Sequence, residues 1–288
     1  MPASSTVCRL CLKRPADSRE HLPGKRAQNS GPVRIRHIQM NEGERGFSHR
    51  ELRDQDGFAL RALCRKCNSK TGSRYGDAYA SFVRQFGTSG LVAPPDGREH
   101  IVLERVRPAR IAKQIASMFI AAQPRAMLPK LDWLRRFVLD RDAVLTAPEG
   151  SDDVRIYLYR NDSHLGRIVP VTSIIELFSP GPVEDRSAIF SEVTWPPVGL
   201  VLCLRGGPWL EQRGLVDITG WGQRSFDAVE DIRLLVRSFT IASDHALAFG
   251  SAGEVERWRA ERGVAWALVA PEDLTSPTAT SMLWRRDR

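Results

Sequence analysis

The sequence predicts an α+β protein in two parts. Residues 1–86 form an N-terminal module stapled by paired cysteines, and residues 101–288 form an α+β domain with two helices and a mostly antiparallel sheet. Three observations carry this reading. Cys8-Arg9-Leu10-Cys11 and Cys64-Arg65-Lys66-Cys67 are two Cys-x-x-Cys knuckles that hold four of the five cysteines. Apolar residues recur at three- and four-residue spacing after Pro108, and again from about Leu128 to Leu139, the period of amphipathic helices. From Val154 the period changes to two, the alternation of strands.

Two residues between paired cysteines let both sulfurs reach one ion, and four thiolates suit a tetrahedral metal. Cys8, Cys11, Cys64 and Cys67 are therefore the expected ligands of a structural zinc. Disulfides are the weaker expectation, because no secretory signal precedes Cys8 and the chain is far longer than small stapled domains. The 288 residues are 42% hydrophobic and 26% charged, enough for a sizeable core. No apolar run approaches the ~20 residues of a bilayer-spanning helix. A soluble, cytoplasmic protein with no membrane partner is expected. The formal charge of +8 is unevenly spread: residues 1–86 hold 17 Lys and Arg against 8 Asp and Glu, and the remainder is close to balanced. A basic, metal-stapled module points to a polyanionic partner, and nucleic acid is the expected one.

Within this module Glu20-His21 is followed by a Pro23-Gly24 bend and by Lys25-Arg26. Adjacent strand residues face opposite ways, so Glu20 and His21 share a site only where the chain bends. Residues 22–58 form a long polar insertion with a short strand expected over Arg34–Ile38 and a turn over Asn41–Gly46. Long insertions of this kind tend to be functional or disordered. Lys25, Arg26, Arg34 and Arg36 are its candidate phosphate contacts, and His37 and His49 are alternative catalytic groups. After Asn68, the residues Tyr75, Tyr79, Phe82, Val83 and Phe86 trace the apolar stripe of a helix, read as core rather than as base-stacking platforms. Residues 87–100 have linker composition.

Cys-x-x-Cys, then Glu-His, then Leu-Cys-x-x-Cys-Asn-x-Lys, over about residues 8–86, resembles the HNH endonucleases of the zinc-bearing type. The resemblance implies a ββα-metal finger in which His21 is the general base that activates water. It implies that Glu20 and Asn68 hold one catalytic Mg²⁺ or Mn²⁺, and that Lys70 sits near the phosphate. Asp77 reads either as a second carboxylate on that cation or as an exposed helix residue. Family members commonly carry an Asn about five residues before the second knuckle, where this chain has Ala59. That Asn usually braces the loop, a role open here to Asn29 or Asn41. The chemistry is coherent: a neutral imidazole can take a proton from water, and oxygen ligands suit a hard divalent cation.

In the second part, a helix begun by Pro108 and ended by Pro124 is expected to turn Ile111, Ile115, Met118 or Phe119, and Ala122 inward and Lys113, Gln114 and Ser117 outward. A second helix turns Leu131, Leu134 and Val138 inward and Arg135-Arg136 outward. Half-buried alternation over Val154–Tyr159 opens a run of strands at Arg167–Ile175, Ala188–Thr194, Val198–Leu204 and Leu215–Gly220. Val198–Leu204 is expected at the centre, with Cys203 an inert core thiol. A strand over Asp231–Ile241 and a short helix over Gly253–Arg262 complete the reading. His164, His245 and the scattered tryptophans define no site.

The function expected is metal-dependent cleavage of double-stranded DNA. The neutral domain would supply target choice, regulation, or docking of a partner protein or second copy, a layout suited to bacterial defence or a mobile element. A zinc-stapled nucleic-acid-binding module without catalysis, and a protein-interaction adaptor, are the alternatives.

Overall fold

The computed structural model describes residues 7–40, 47–88, 98–149, 154–162, 165–176, 187–212, 214–239, 266–269 and 280–286. In chain order the strands are β1 (Ser18–His21), β2 (Val33–Met40), β3 (Phe47–Asp54), β4 (Ala59–Leu63), β5 (Arg98–Val106), β6 (Arg155–Asn161) and β7 (Leu165–Glu176). They continue with β8 (Ser187–Trp195), β9 (Val198–Arg205), β10 (Val216–Asp217), β11 (Glu230–Phe239), β12 (Trp266–Val269) and β13 (Thr280–Arg286). The helices are α1 (Arg65–Thr71), α2 (Asp77–Thr88), α3 (Pro108–Ala122), α4 (Asp132–Leu139) and α5 (Gly207–Gln212). The result is α+β with a mostly antiparallel sheet.

The cysteine-bearing region is a short antiparallel pair followed by a helix. β1 lies against β4, with Glu20 opposite Leu60 and His21 opposite Ala59. Cys64 caps α1 in extended conformation, and the Asp17 carboxylate accepts from the Arg65 amide at 2.9 Å, supplying a partner that a helix start otherwise lacks. α1 runs through a wider π-turn, Gly72–Gly76, into α2. Tyr75, Tyr79, Phe82, Val83 and Phe86 are all buried, as the apolar stripe requires.

The insertion between β1 and β4 is built differently from the expectation of one short strand. β2 and β3 are eight residues each and pair along their whole length, and β2 then pairs with β13. The hairpin thus leaves the cysteine-bearing region and enters an 11-stranded sheet of order β3-β2-β13-β7-β8-β9-β6-β11-β5, with β10 against β6 and β12 against β7. Neighbours are antiparallel except β6 and β11. The turn expected over 41–46 and the helix over 253–262 lie outside the described residues, as do His164 and His245. Of the expected linker, Gly87 and Thr88 finish α2 and Arg98–His100 begin β5, while 89–97 are not described. One hydrophobic core extends from Cys8 and Leu10 through α2 and α3 to Val236, across that boundary.

β9 is central, between β8 and β6. The alternation expected of β6 is present, but both its faces are covered. Ile156 and Leu158 enter the main core, while Tyr157 and Tyr159 enter a second cluster with Phe190, Val201, Cys203 and Phe239. Strands buried on both sides carry apolar side chains at every position. Arg167 and Glu192, both fully buried, form a two-point ion pair beneath this second cluster, and the Tyr159 hydroxyl joins it.

The helices also bury more than their periodicity implied. Lys113, Gln114 and Ser117 do not face solvent; all are at most 4% exposed. The Lys113 ammonium donates to the carbonyls of Phe137 at 2.5 Å and of Asp140 and Ala143 at 2.8 Å, closing the end of α4. Arg135 is likewise turned inward, its Nε donating to the Leu10 carbonyl at 2.9 Å, while Arg136 stays exposed. Arg9 returns the contact from the first knuckle to the Ala121 carbonyl. Replacing Lys113 by Met keeps its length and strands three carbonyls, so Lys113→Met is expected to lower unfolding stability by about 3 kcal/mol, read from the urea midpoint at unchanged slope.

Candidate functional site

The four knuckle cysteines come together. One Sγ from each of Cys8, Cys11, Cys64 and Cys67 lies within 4.8 Å of the others, and all are free thiols. The Cys11 and Cys64 sulfurs are 3.9 Å apart, close to the ~3.8 Å edge of a tetrahedron with 2.3 Å zinc–sulfur bonds. Three of the four are buried and Cys11 is partly so. The S–H of Cys67 pointing at Cys8 holds the Cys8 thiol well below its ordinary range, and the same contact pushes Cys67 upward. The cluster sheds its first proton readily, as a site for a zinc ion must. Arg9 N donates to the Ala62 carbonyl at 2.9 Å, so the first knuckle is also tied to β4.

Beside it lies a cleft of about 590 Å³, lined among others by Glu20, His21, Lys25, Arg26, Asn68 and Asp77. Six of the residues singled out in the sequence share this one cavity. His21 ends β1, and the chain turns immediately into Leu22-Pro23-Gly24, which lets Glu20 and His21 reach the same space. His21 Nε2 is 2.9 Å from the Asp56 carbonyl oxygen. A carbonyl only accepts, so Nε2 carries the proton and Nδ1 is left with its lone pair. Burial holds the imidazole pKa below its ordinary value, against the opposing pull of the Asp56 carbonyl. The ring is neutral at neutral pH, the form that can accept a proton.

The loop that brings Asp56 to His21 is clamped by Asn29. Its Nδ2 donates to the carbonyls of Pro23 at 2.7 Å and Phe58 at 2.8 Å, and its Oδ1 accepts from the Phe58 amide at 2.8 Å. Gly57 sits against this amide at φ +86°, where a Cβ would come within 2.5 Å of Asn29 Oδ1. Of the two asparagines that could brace the loop, Asn29 does so; Asn41 lies outside the described residues.

Glu20 is 4% exposed, and its Oε2 has no hydrogen-bond partner among the described residues. Burial, reinforced by the nearby Cys8, pushes its pKa up to about 8. A buried carboxylate of this kind is costly to ionise until a cation compensates it. Asn68 commits its amide nitrogen to β1, donating to Ser18 Oγ at 2.7 Å and the Arg19 carbonyl at 3.1 Å. Its amide oxygen takes no part in these two bonds. Carboxylate and amide oxygens are the donor types that Mg²⁺ or Mn²⁺ takes.

Asp77 lines the cleft but is paired with Arg26 at its exposed rim. Lys25 reaches the Asp56 carboxylate at 2.5 Å. Lys70 is turned away from the cleft, donating to the Leu139 carbonyl at 3.0 Å, because the end of α4 offers an unpaired acceptor there. Arg34, Arg36 and His37 lie on β2 and His49 on β3, strands of the large sheet. Their side chains are outside the described ones. Asp56 and Gln114 are cleft-associated residues that pattern reading did not single out. The Asp-Gly pair at 56–57 marks a turn, the one signal available for Asp56; Gln114 carried only the misleading signal of a solvent face.

Two changes probe this architecture. Cys64→Ser is expected to abolish stoichiometric zinc by elemental analysis and to lower the thermal midpoint. Asn29→Ala, which removes three buried hydrogen bonds, is expected to cost about 3 kcal/mol in denaturant unfolding. In comparisons with known proteins, no protein-family model, no curated protein and no solved structure matches the chain.

Proposed function

We propose that the chain is a metal-dependent HNH-type endonuclease hydrolysing phosphodiester bonds in DNA, with a structural zinc at Cys8, Cys11, Cys64 and Cys67. The observation that carries this reading is the convergence of His21, Glu20 and Asn68 on one cleft, with the imidazole proton directed to Asp56 and Nδ1 open. His21 would take the proton of the attacking water at Nδ1. The Asp56 carbonyl fixes its tautomer and favours the charge it gains, as an oriented acceptor does for any general base. Glu20 and Asn68 would hold a divalent cation, which supplies charge stabilisation for the phosphate and the leaving oxygen. Asn29, clamping Pro23 and Phe58, supports the catalytic reading over a degraded, purely binding module despite Ala59.

The basic rim supports a nucleic-acid substrate. Arg19, Lys25 and Arg26 line the cleft with Gly24, Gly72 and Gly76, and a Cβ added at any of these three glycines would meet nothing within 4 Å. Gly72 has ordinary helical angles, so its conformation does not need glycine. Its missing side chain leaves room for a polynucleotide backbone, whose phosphates would meet the neighbouring guanidinium groups. The remainder of the chain would govern target choice or partner docking, a layout that suits bacterial defence or a mobile element.

A plasmid-nicking assay tests the proposal. Wild type is expected to nick with Mg²⁺ or Mn²⁺, EDTA to stop it, and His21→Ala to reduce the rate at least about 100-fold; equal cleavage by that variant would remove His21 from the mechanism. Gly72→Ala is expected to leave the thermal midpoint unchanged or slightly raised, yet to raise the KM for DNA several-fold.

A further inference from the structure

α3 lies in the part of the chain downstream of the cysteine module, yet Gln114 lines the cleft beside Glu20, His21 and Asn68. Gln114 is 4% exposed, and its Oε1 meets no donor among the described residues. Glu20 Oε2 is in the same condition in the same cleft. An amide oxygen is an acceptor only, and protonation offers it no relief at accessible pH. Leaving it buried and unmatched is unfavourable.

The cationic side chains on this side of the cleft are already engaged: Lys25 with Asp56, Arg26 with Asp77, and Arg19 with Asp54. Two orphaned oxygens, one carboxylate and one carboxamide, line one cleft with Asn68, and carboxylate and amide oxygens are the donors a small hard cation takes. We propose that Gln114 supplies an oxygen to the divalent-cation site, to the ion or to a water in its shell, so that the site is assembled from both parts of the chain. This rests on the reading of the cleft as a cation site. It gives α3 a role that its amphipathic pattern conceals.

The test is Mn²⁺ binding to the zinc-loaded full-length chain, followed by electron paramagnetic resonance, with zinc content and far-UV circular dichroism as controls of folding. Gln114→Met keeps the length and removes the oxygen; its affinity is expected to fall about 10- to 100-fold. Gln114→Glu adds charge at the same place and is expected to bind at least a few-fold tighter. If both variants bind Mn²⁺ as wild type does while Glu20→Gln binds weakly, Gln114 is not part of the site and the cation reading stands. If wild type binds no Mn²⁺ at millimolar concentration, or Glu20→Gln has no effect, the cation reading itself falls. Should Gln114→Met fail to fold, the affinity of Gln114→Glu decides, and an unchanged value overturns the proposal.

Discussion

The geometry of the cleft depends on where α1 begins. Its first turn carries Cys67 and Asn68, and Cys64 caps it, so any force that holds those sulfurs also sets the position of the Asn68 amide. The partners are the two sulfurs of the first knuckle, brought from far along the chain. That knuckle is pinned in turn by Arg9 to β4 and α3, and by the Arg135 contact to Leu10. A short helix of seven residues has little intrinsic stability, and here its start is fixed by sulfur and its end by continuation into the π-turn and α2.

A second constraint is that the cysteine-bearing region does not close on itself. Its insertion belongs to the large sheet, its helix shares a core with α3, and Lys70 closes α4 rather than meeting solvent. The cleft therefore has walls from both parts of the chain. A small module with few core residues is poorly equipped to hold such a cleft rigid alone. The neighbouring α3, buried on nearly every side, is a firm backing.

The cysteine clusters, the α2 stripe and the central β9 were legible because each follows from a local rule: ligand spacing, helical period, or an unbroken apolar run. What stayed hidden was tertiary. Lys113, Gln114 and Ser117 sit where a solvent face should be, and periodicity cannot distinguish water from a partner offering carbonyls or a cleft. Arg135 differs from Arg136 only in which side of α4 meets Leu10. The alternation of β6 is real, yet tyrosines pack a second core as readily as they meet solvent. Asn29 and Asn41 were indistinguishable as letters, since the clamp on Phe58 exists only once residues 22–29 fold back on β4. Residues 22–58 read as a polar insertion with one short strand because β13, the second partner of β2, lies far away in the chain.

That last arrangement bears on assembly in time. β2 and β3 emerge from the ribosome early and can zip together locally, but β2 offers its other edge to β13, a strand from the far end of the described chain. Until β13 is synthesised, one edge of the hairpin keeps unpaired backbone groups, the kind of edge that invites wrong pairing. Pairing across so long a separation carries a large loop-closure cost and is among the slower events of folding. The strand that bridges the finger's insertion to β7 would thus report completion of the whole sheet, and a nascent chain would reach its final cleft geometry only after its downstream half had been made.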